Sequence, residues 1–447
     1  MFTVKTPEEV KDILREAVVF SIGEETVPLA DASGRVLARP VLSREYVPDF
    51  QRSTVDGYAV KASDTFGCSE GLPALLIKTG EVLMGKPAGF SIRPGECAYV
   101  PTGGEVPEGA DAVAMIEYSE DYGEGTIGIL RPCAPGENVI FRGDDLKPGQ
   151  EVLPAGICLR ASAVGALASM GVSAVPVRKK VRVGILSTGD ELIPADQDPA
   201  PGQIRDVNSA LLAALVREAG AQAVQYGIIP DQKEALHEVF GRALEACDMV
   251  LLSGGSSVGT RDLTCQIIEE NGSVLFHGIS MKPGKPTIFG LARKSARAGA
   301  RGKTGTEPVG VESEEPGQAA GTGLSETKPE EQGQAGTMVP VFGLPGHPGA
   351  AFFVAEIFIR PLLEKYAALP APAEVKAILR ENLSANHGRA QYMAAVLERD
   401  EDRVYVRPVY MKSGMITGTA AADGYFCVPR DAEGLPAGAE VTVIKFG

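Results

Sequence analysis

An apolar run breaks into two adjacent glycines, two serines and a third glycine at LLSGGSSVG (Leu251–Gly259), and Thr260, Arg261 and Asp262 follow at once. Glycines let backbone N–H groups turn toward an anion with no Cβ in the way. Gly254, Gly255, Ser256 and Ser257 are therefore candidate phosphate-cradling residues. Asp262 supplies a carboxylate that can hold a divalent cation against the same anion. The Gly-Lys-Ser/Thr ending of a P-loop is missing, which argues against an ordinary nucleoside triphosphatase.

Further carboxylates stand at turns or strand ends: Asp56 in STVDGYAV, Asp144 and Asp145 in FRGDDLKPG, Asp190 and Glu191 after Thr188 in STGDEL, and Asp231 after YGIIP. Read singly, each is also what a turn needs, since Asp and Gly favour turns. Converging with a phosphate loop, they suggest a Mg2+ site, because Mg2+ takes carboxylates plus substrate phosphates. The opposite charge comes from KPGKP, where Lys282 and Lys285 on a fixed backbone suit one small oxyanion, or form a solvated turn. In LPGHPGAA, Pro345 and Pro348 stiffen either an anion-binding helix start or a plain strand-to-helix turn. His347 reads as a hydrogen-bonding residue at that helix start, not as a base or metal ligand, and no Ser-His-Asp or Cys-His set is visible. Arg389 in HGRAQY and Ser413 in MKSGMITGTAAADGY carry little by themselves.

The elements that must position these residues follow from periodicity. Thr6-Pro7-Glu8-Glu9 is a capping box opening a helix. Residues 46–142 are Gly- and Pro-rich, with short β-type runs such as Ala74–Thr79, and read as a β domain inserted between 1–45 and 143–180. From Val181 strands alternate with helices: VRVGILS, a helix capped by Asn208, AVQYGII, a helix from Lys233 to Ala246, MVLLS, a strand at Val274–Ile279, VPVFGL and a helix over Ala350–Tyr366. That order predicts a doubly wound parallel sheet over 181–368, whose ligands bind beyond the carboxyl ends of the strands. Residues 292–338 interrupt it with a Gly-rich, aromatic-free stretch, read as a flexible insertion between two strands or else as a partner-docking tail. Residues 369–447 alternate as short β runs and predict a terminal barrel or sandwich.

The chain has 447 residues, enough for about three domains of ~150 residues. A net charge of −15 disfavours nucleic acid as the main ligand. No segment reads as a membrane span or signal peptide, and seven scattered cysteines without a CxxC pair indicate neither a zinc ribbon nor a disulfide framework. A cytoplasmic protein is expected.

RSTVDGYAV, PTGGEVPEGADAV, RGDDLKPG, STGDEL, GQIRDVNS, SGGSSVG with Asp262, KPGKP, LPGHP and SGMITGTAAADGY, in this order, resemble the MoeA family, the molybdenum insertases also represented by the gephyrin E domain. The resemblance implies a homodimer of four-part subunits: a linking region, an inserted β domain, a central MogA-like α/β domain and a C-terminal β-barrel. It implies insertion of molybdate into adenylylated molybdopterin with release of AMP and Mg2+ present, the substrate coming from a MogA-like molybdopterin adenylyltransferase. Asp56, Asp145, Glu191, Asp231 and Asp262 then match catalytic positions, with Glu191, Asp231 and Asp262 at the metal. Asp56 and Thr102 are implied to reach a neighbouring subunit's central domain. Thr102, Thr188, Gly254, Gly255, Ser256, Ser257, Pro345 and Pro348 match positions that hold the pterin nucleotide, and Lys282, Lys285, Arg389 and Ser413 match the molybdate pocket. A tungstate-inserting paralogue and a non-catalytic molybdopterin-binding scaffold are the alternatives. The chain departs from the family at Gly346-His347-Pro348-Gly349-Ala350, where Gly-Asn-Pro-Val-Ser is common.

Overall fold

A computed structural model describes residues 4–254, 258–294, 337–385 and 388–446, with only the backbone at 258–262. It divides into two compact units, Gly23–Lys179 and the remainder, Met1–Ile22 with Lys180–Gly447.

In the larger unit the capping box forms as expected. Thr6 accepts from the Glu9 amide at 3.2 Å, the Glu9 carboxylate accepts from the Thr6 amide at 2.7 Å, and a helix runs Pro7–Ala17. Val10 and Leu14 of that helix are buried in one core with Val183, Ile185, Leu212 and Phe342. The helix thus belongs with 180–447, whereas the grouping by sequence set residues 1–45 together.

The central sheet consists of β1 (Arg182–Thr188), β2 (Gln222–Ile229), β3 (Met249–Gly254), β4 (Gly272–His277), β5 (Ile288–Arg293) and β6 (Met338–Leu344). Helices α1 (Val207–Glu218), α2 (Lys233–Ala246) and α3 (Val258–Asn271) connect β1 through β4. The strand order is β2-β1-β3-β6-β5-β4. β1 is buried from Val183 to Thr188, as befits a central strand covered on both faces. In α2, Leu236, Phe240, Ala243 and Leu244 repeat at helical spacing and face the core.

Two expectations need correcting. The sheet is mixed, because β5 runs antiparallel to both β6 and β4. The cap of α1 is Asp206, which accepts from the Ser209 amide at 3.0 Å; Asn208 lies inside the first turn. The insertion expected at 292–338 starts beyond β5 and ends before β6, and residues 295–336 lie outside the described residues. The Lys294 amide donates to the Thr337 carbonyl at 3.0 Å, so the two strands are still paired where the insertion departs.

After β6 one helical column runs from α4 (Pro348–Val354) through a π turn (Ala355–Ile359) into α5 (Arg360–Tyr366). Pro361 has no N–H to give back, and a π turn is one way a helix absorbs that loss. The C-terminal strands β7 (Glu374–Leu379), β8 (Ala390–Asp400), β9 (Arg403–Pro408), β10 (Gly424–Val428) and β11 (Glu440–Lys445) close into a barrel in the order β8-β9-β7-β11-β10, with β10 returning to β8. Phe353 of α4 meets Tyr425 of the barrel edge-on, with ring centroids 6.1 Å apart.

The unit Gly23–Lys179 has its own sheet, with the strands in the spatial order 112–115, 57–60, 96–100, 74–81, 126–129 and 119–121. Glu24–Pro28 pairs with Ala174–Arg178, and Val41–Leu42 with Glu151–Leu153, so the segments flanking this sheet are zipped to each other. In DGYAV, a Cβ on Gly57 would lie 1.9 Å from the Ala114 carbonyl oxygen, which fixes glycine there.

Candidate functional site

The carboxyl ends of β2, β1, β3 and β6 lie side by side and gather most of the sequence-predicted residues of the larger unit. Beyond β1 and β2 stand three acids. The Asp231 amide donates to Asp190 Oδ1 at 3.1 Å, and the Glu191 carboxylate folds back over Gly189, where a Cβ would meet its Oε2 at 2.8 Å. Gly189 has φ +152°, so glycine is needed for conformation as well as for room. Burial first, then the charges of Asp190 and Glu191, push the Asp231 carboxyl above its ordinary range. Its Oδ1 is buried and has no hydrogen-bond partner among the described residues.

This corner gathers like charges among the described residues. Among the described residues no three His, Cys, Asp or Glu side chains surround a common point. Mg2+ needs only one or two carboxylates, and fills its shell with water and substrate phosphate. The orphaned Asp231 oxygen among like charges fits such an ion. Asp262 lies in the second turn of α3, and its side chain is outside the described atoms, as are Gly255, Ser256 and Ser257.

One strand further along, Gly254 ends β3 beside Thr188 of β1. A Cβ on Gly254 would lie 2.8 Å from Thr188 Oγ1, so the chain enters the phosphate loop with no space for a side chain. Beneath it is a polar cluster that the sequence did not disclose. Ser187 Oγ donates to Asp206 Oδ1 at 3.1 Å and meets Ser209 Oγ at 2.9 Å. Asn208 Nδ2 donates to Ser253 Oγ at 2.6 Å and to the Gly346 carbonyl at 2.9 Å. One buried carboxamide therefore ties α1, the end of β3 and the loop after β6. The only cue in the sequence was the Asp-x-Asn of GQIRDVNS, with two polar residues where one cap suffices.

The far end of the row is the LPGHP loop. Pro345 is buried, His347 is exposed, and Pro348 opens α4. The Gly349 amide donates to the Ser413 carbonyl at 3.0 Å, and Ser413 Oγ lies 3.3 Å from His347 Nδ1. A Cβ on Gly349 would lie 2.6 Å from the Met415 carbonyl oxygen, which accounts for glycine at this departure from the family pattern. KPGKP abuts the same helix, since a Cβ on Gly284 would lie 2.7 Å from Val354 Cγ2. At a 1.5 Å rise, Gly349 and Val354 are ~8 Å apart along the axis. Met281–Lys282 pairs in parallel with Ala390–Gln391, which sets Lys282, Gln391 and Arg389 on one face of that ladder. Lys282, Lys285 and Arg389 are exposed. The acids and the His347 loop are separated by two strand spacings for Asp190 and Glu191 and three for Asp231, about 10–14 Å.

In the unit Gly23–Lys179, Asp56 Oδ1 accepts from the Thr102 amide at 2.8 Å, which brings these two predicted residues together. The Gly103 amide and the Ser53 carbonyl close the same loop pair at 2.8 Å. Asp145 is exposed on the loop where its amide donates to the Val47 carbonyl at 3.0 Å.

Comparison with known proteins gives three matching family models that follow one another along the chain. They are the MoeA N-terminal region (domain I and II) at residues 5–171, a probable molybdopterin binding domain at 184–365 and the MoeA C-terminal region (domain IV) at 376–446. A molybdopterin molybdenumtransferase of Bacillus subtilis is 28% identical over 99% of this chain and 95% of its own length. Molybdopterin molybdenumtransferase 2 of Mycobacterium tuberculosis is 30% identical over 94% of each. The crystal structure of a molybdopterin biosynthesis MoeA protein from Pyrococcus horikoshii superposes with a TM-score of 0.78 at 32% identity, covering 100% of both chains.

Proposed function

The chain belongs to the MoeA family, and on that premise we propose that it is a molybdopterin molybdenumtransferase, which inserts molybdenum into molybdopterin during cofactor biosynthesis. The observation that carries this reading is the row of strand ends, with acids suited to a cation at one end and an oxyanion-suited loop about 10–14 Å away. A compound with a phosphate near one end and a metal-accepting group near the other spans such a crevice.

In the finer reading the substrates are adenylylated molybdopterin and molybdate, and AMP leaves. Glu191, Asp231 and Asp262 hold Mg2+. When bound, that ion supplies positive charge to the phosphate oxygens and lowers the cost of the charge that develops on them. The chain's own groups do the rest. Thr188 and the glycines at 254 and 255 let the backbone approach the phosphates, with Ser256 and Ser257 as donors. Lys282, Lys285, Arg389 and Ser413 bind molybdate as fixed charges and a hydroxyl donor, already oriented when the oxyanion arrives. Pro345 and Pro348 stiffen the loop at the oxyanion end, where the pterin nucleotide lies against it. Asp56 and Thr102 serve the central domain of a neighbouring subunit in the homodimer, and Asp145 is a further catalytic carboxylate. The protein acts as a homodimer in the cytoplasm and receives its substrate from a MogA-like adenylyltransferase.

The test is molybdate-dependent AMP release from adenylylated molybdopterin by the purified chain with Mg2+. Release that Asp262→Ala and Glu191→Gln suppress supports the reading. Binding of the substrate without AMP release at any molybdate concentration refutes it. Tungstate in competition then decides which oxyanion is preferred.

A further inference from the structure

His347 stands at the oxyanion end without a task in molybdate binding. It stands at the N-cap of α4 and makes no capping bond. Its Nδ1 faces Ser413 Oγ at 3.3 Å instead. The loop carrying Ser413 is held there independently of the imidazole, through the Gly349 amide on the Ser413 carbonyl at 3.0 Å. Gly414 lies against the ring, since a Cβ there would be 3.6 Å from Cδ2. The backbone bond fixes where Ser413 is. It leaves open which way the hydroxyl hydrogen points.

That direction matters chemically. A serine hydroxyl has one hydrogen and two lone pairs, and an oxyanion only accepts hydrogen bonds. Ser413 can bind an oxyanion only by giving it that hydrogen. If Nδ1 were an acceptor it would take the hydrogen itself and leave lone pairs facing the anion. We propose that His347 donates Nδ1–H to Ser413 Oγ and thereby turns the Ser413 hydroxyl outward to donate to the oxyanion. His347 is thus a positioning residue that sets the polarity of Ser413. The inference rests on the molybdate reading of this pocket.

The experiment titrates the full-length chain with sodium molybdate by calorimetry and measures KM for molybdate in the AMP-release assay. His347→Ala frees the Ser413 hydroxyl among three staggered positions, so molybdate binding weakens about threefold and KM rises while kcat at saturating molybdate stays within twofold. His347→Asn, whose carboxamide also carries an N–H donor, recovers most of the affinity. In a Ser413→Ala background, His347→Ala costs nothing more, because the hydroxyl it orients is gone. Circular dichroism melts check that the variants fold, and His347→Asn keeps the test open if His347→Ala does not. Wild-type affinity in His347→Ala overturns the proposal, as does an undiminished His347→Ala effect in the Ser413→Ala background. A wild-type chain that neither binds molybdate nor releases AMP overturns the function itself, which is a different outcome from an active wild type with an indifferent His347.

Discussion

Asn208→Ala separates what stabilises the central sheet from what aligns its strand ends. Asn208 is 6% exposed. Its Nδ2 makes bonds of 2.6 Å to Ser253 Oγ and 2.9 Å to the Gly346 carbonyl, while its Oδ1 is buried with no partner among the described residues. Asn208→Ala leaves Ser253 Oγ and the Gly346 carbonyl without their partner at about 1–3 kcal/mol each, and removing the unpartnered oxygen returns about 1–3 kcal/mol. The return offsets about half of the loss, and about 2 kcal/mol remains. The midpoint of thermal unfolding should therefore fall by about 4–8 °C. Alignment has no such compensation. Ser253 leads into the phosphate loop and Gly346 leads into His347, and both lose their common tie. A displacement of ~1 Å in a positioned group can cost on the order of 100-fold in rate. The expected result is a fall of at least ~30-fold in kcat/KM for molybdate-dependent AMP release with only a modest loss of thermal stability. Asn208→Asp, which sets an anion against the Gly346 carbonyl, should lose both activity and stability. Two results refute the reasoning: a large stability loss with full activity in the protein that remains folded, or Asn208→Ala with kcat/KM within twofold of wild type.

Four further outcomes follow from the same structure. Replacing residues 295–336 by a two-residue turn should leave folding and activity intact, since β5 and β6 are antiparallel neighbours already bonded at Lys294 and Thr337; lost activity with normal melting would contradict this. Gly57→Ala should destabilise the sheet of the unit Gly23–Lys179 by about 2 kcal/mol or more, read as a lower denaturation midpoint, because its methyl group would overlap the Ala114 carbonyl oxygen. Arg360→Leu should cost about 3–5 kcal/mol in chemical denaturation, because Glu356, 4% exposed and bonded to Arg360 at 2.8 Å, would be left as an uncompensated buried charge. In a mass-spectrometric alkylation series near pH 8, exposed Cys427 should react before Cys97 and Cys133, whose thiols burial pushes up to about 12 and about 11.

What the sequence disclosed was local. Thr6 to Glu9 encode their own cap within one turn, and the helix Lys233–Ala246 has the bounds its periodicity indicates. The phosphate loop and the acids of STGDEL stand at strand ends because each follows its own apolar run. What it hid was pairwise and distant. Asn208 read as a helix cap because polar residues before an apolar run usually are caps. Asp206 takes that task, which frees Asn208 for partners 45 and 138 residues away. His347 and Ser413 are 66 residues apart, on a helix start and a barrel loop, and neither segment alone names the other.

The insertion shows how strand direction alone can reverse an inference from order. In the sequence it lies between KPGKP and LPGHP, two loops of the candidate site, which sets it close to the chemistry. Alternating strands and helices suggested that every strand points the same way, and Ile288–Arg293 was not distinguished as a strand of its own. In the structure β5 runs away from the edge that carries Thr188, Gly254 and Gly346, and β6 runs back to it. The insertion therefore departs from the opposite edge. The seven residues of β6, Met338–Leu344, set its root ~20 Å from the strand ends. Lengthening a loop at that position costs only logarithmically in closure entropy. A long segment is tolerated between two site loops because the hairpin that carries it turns its back on the crevice.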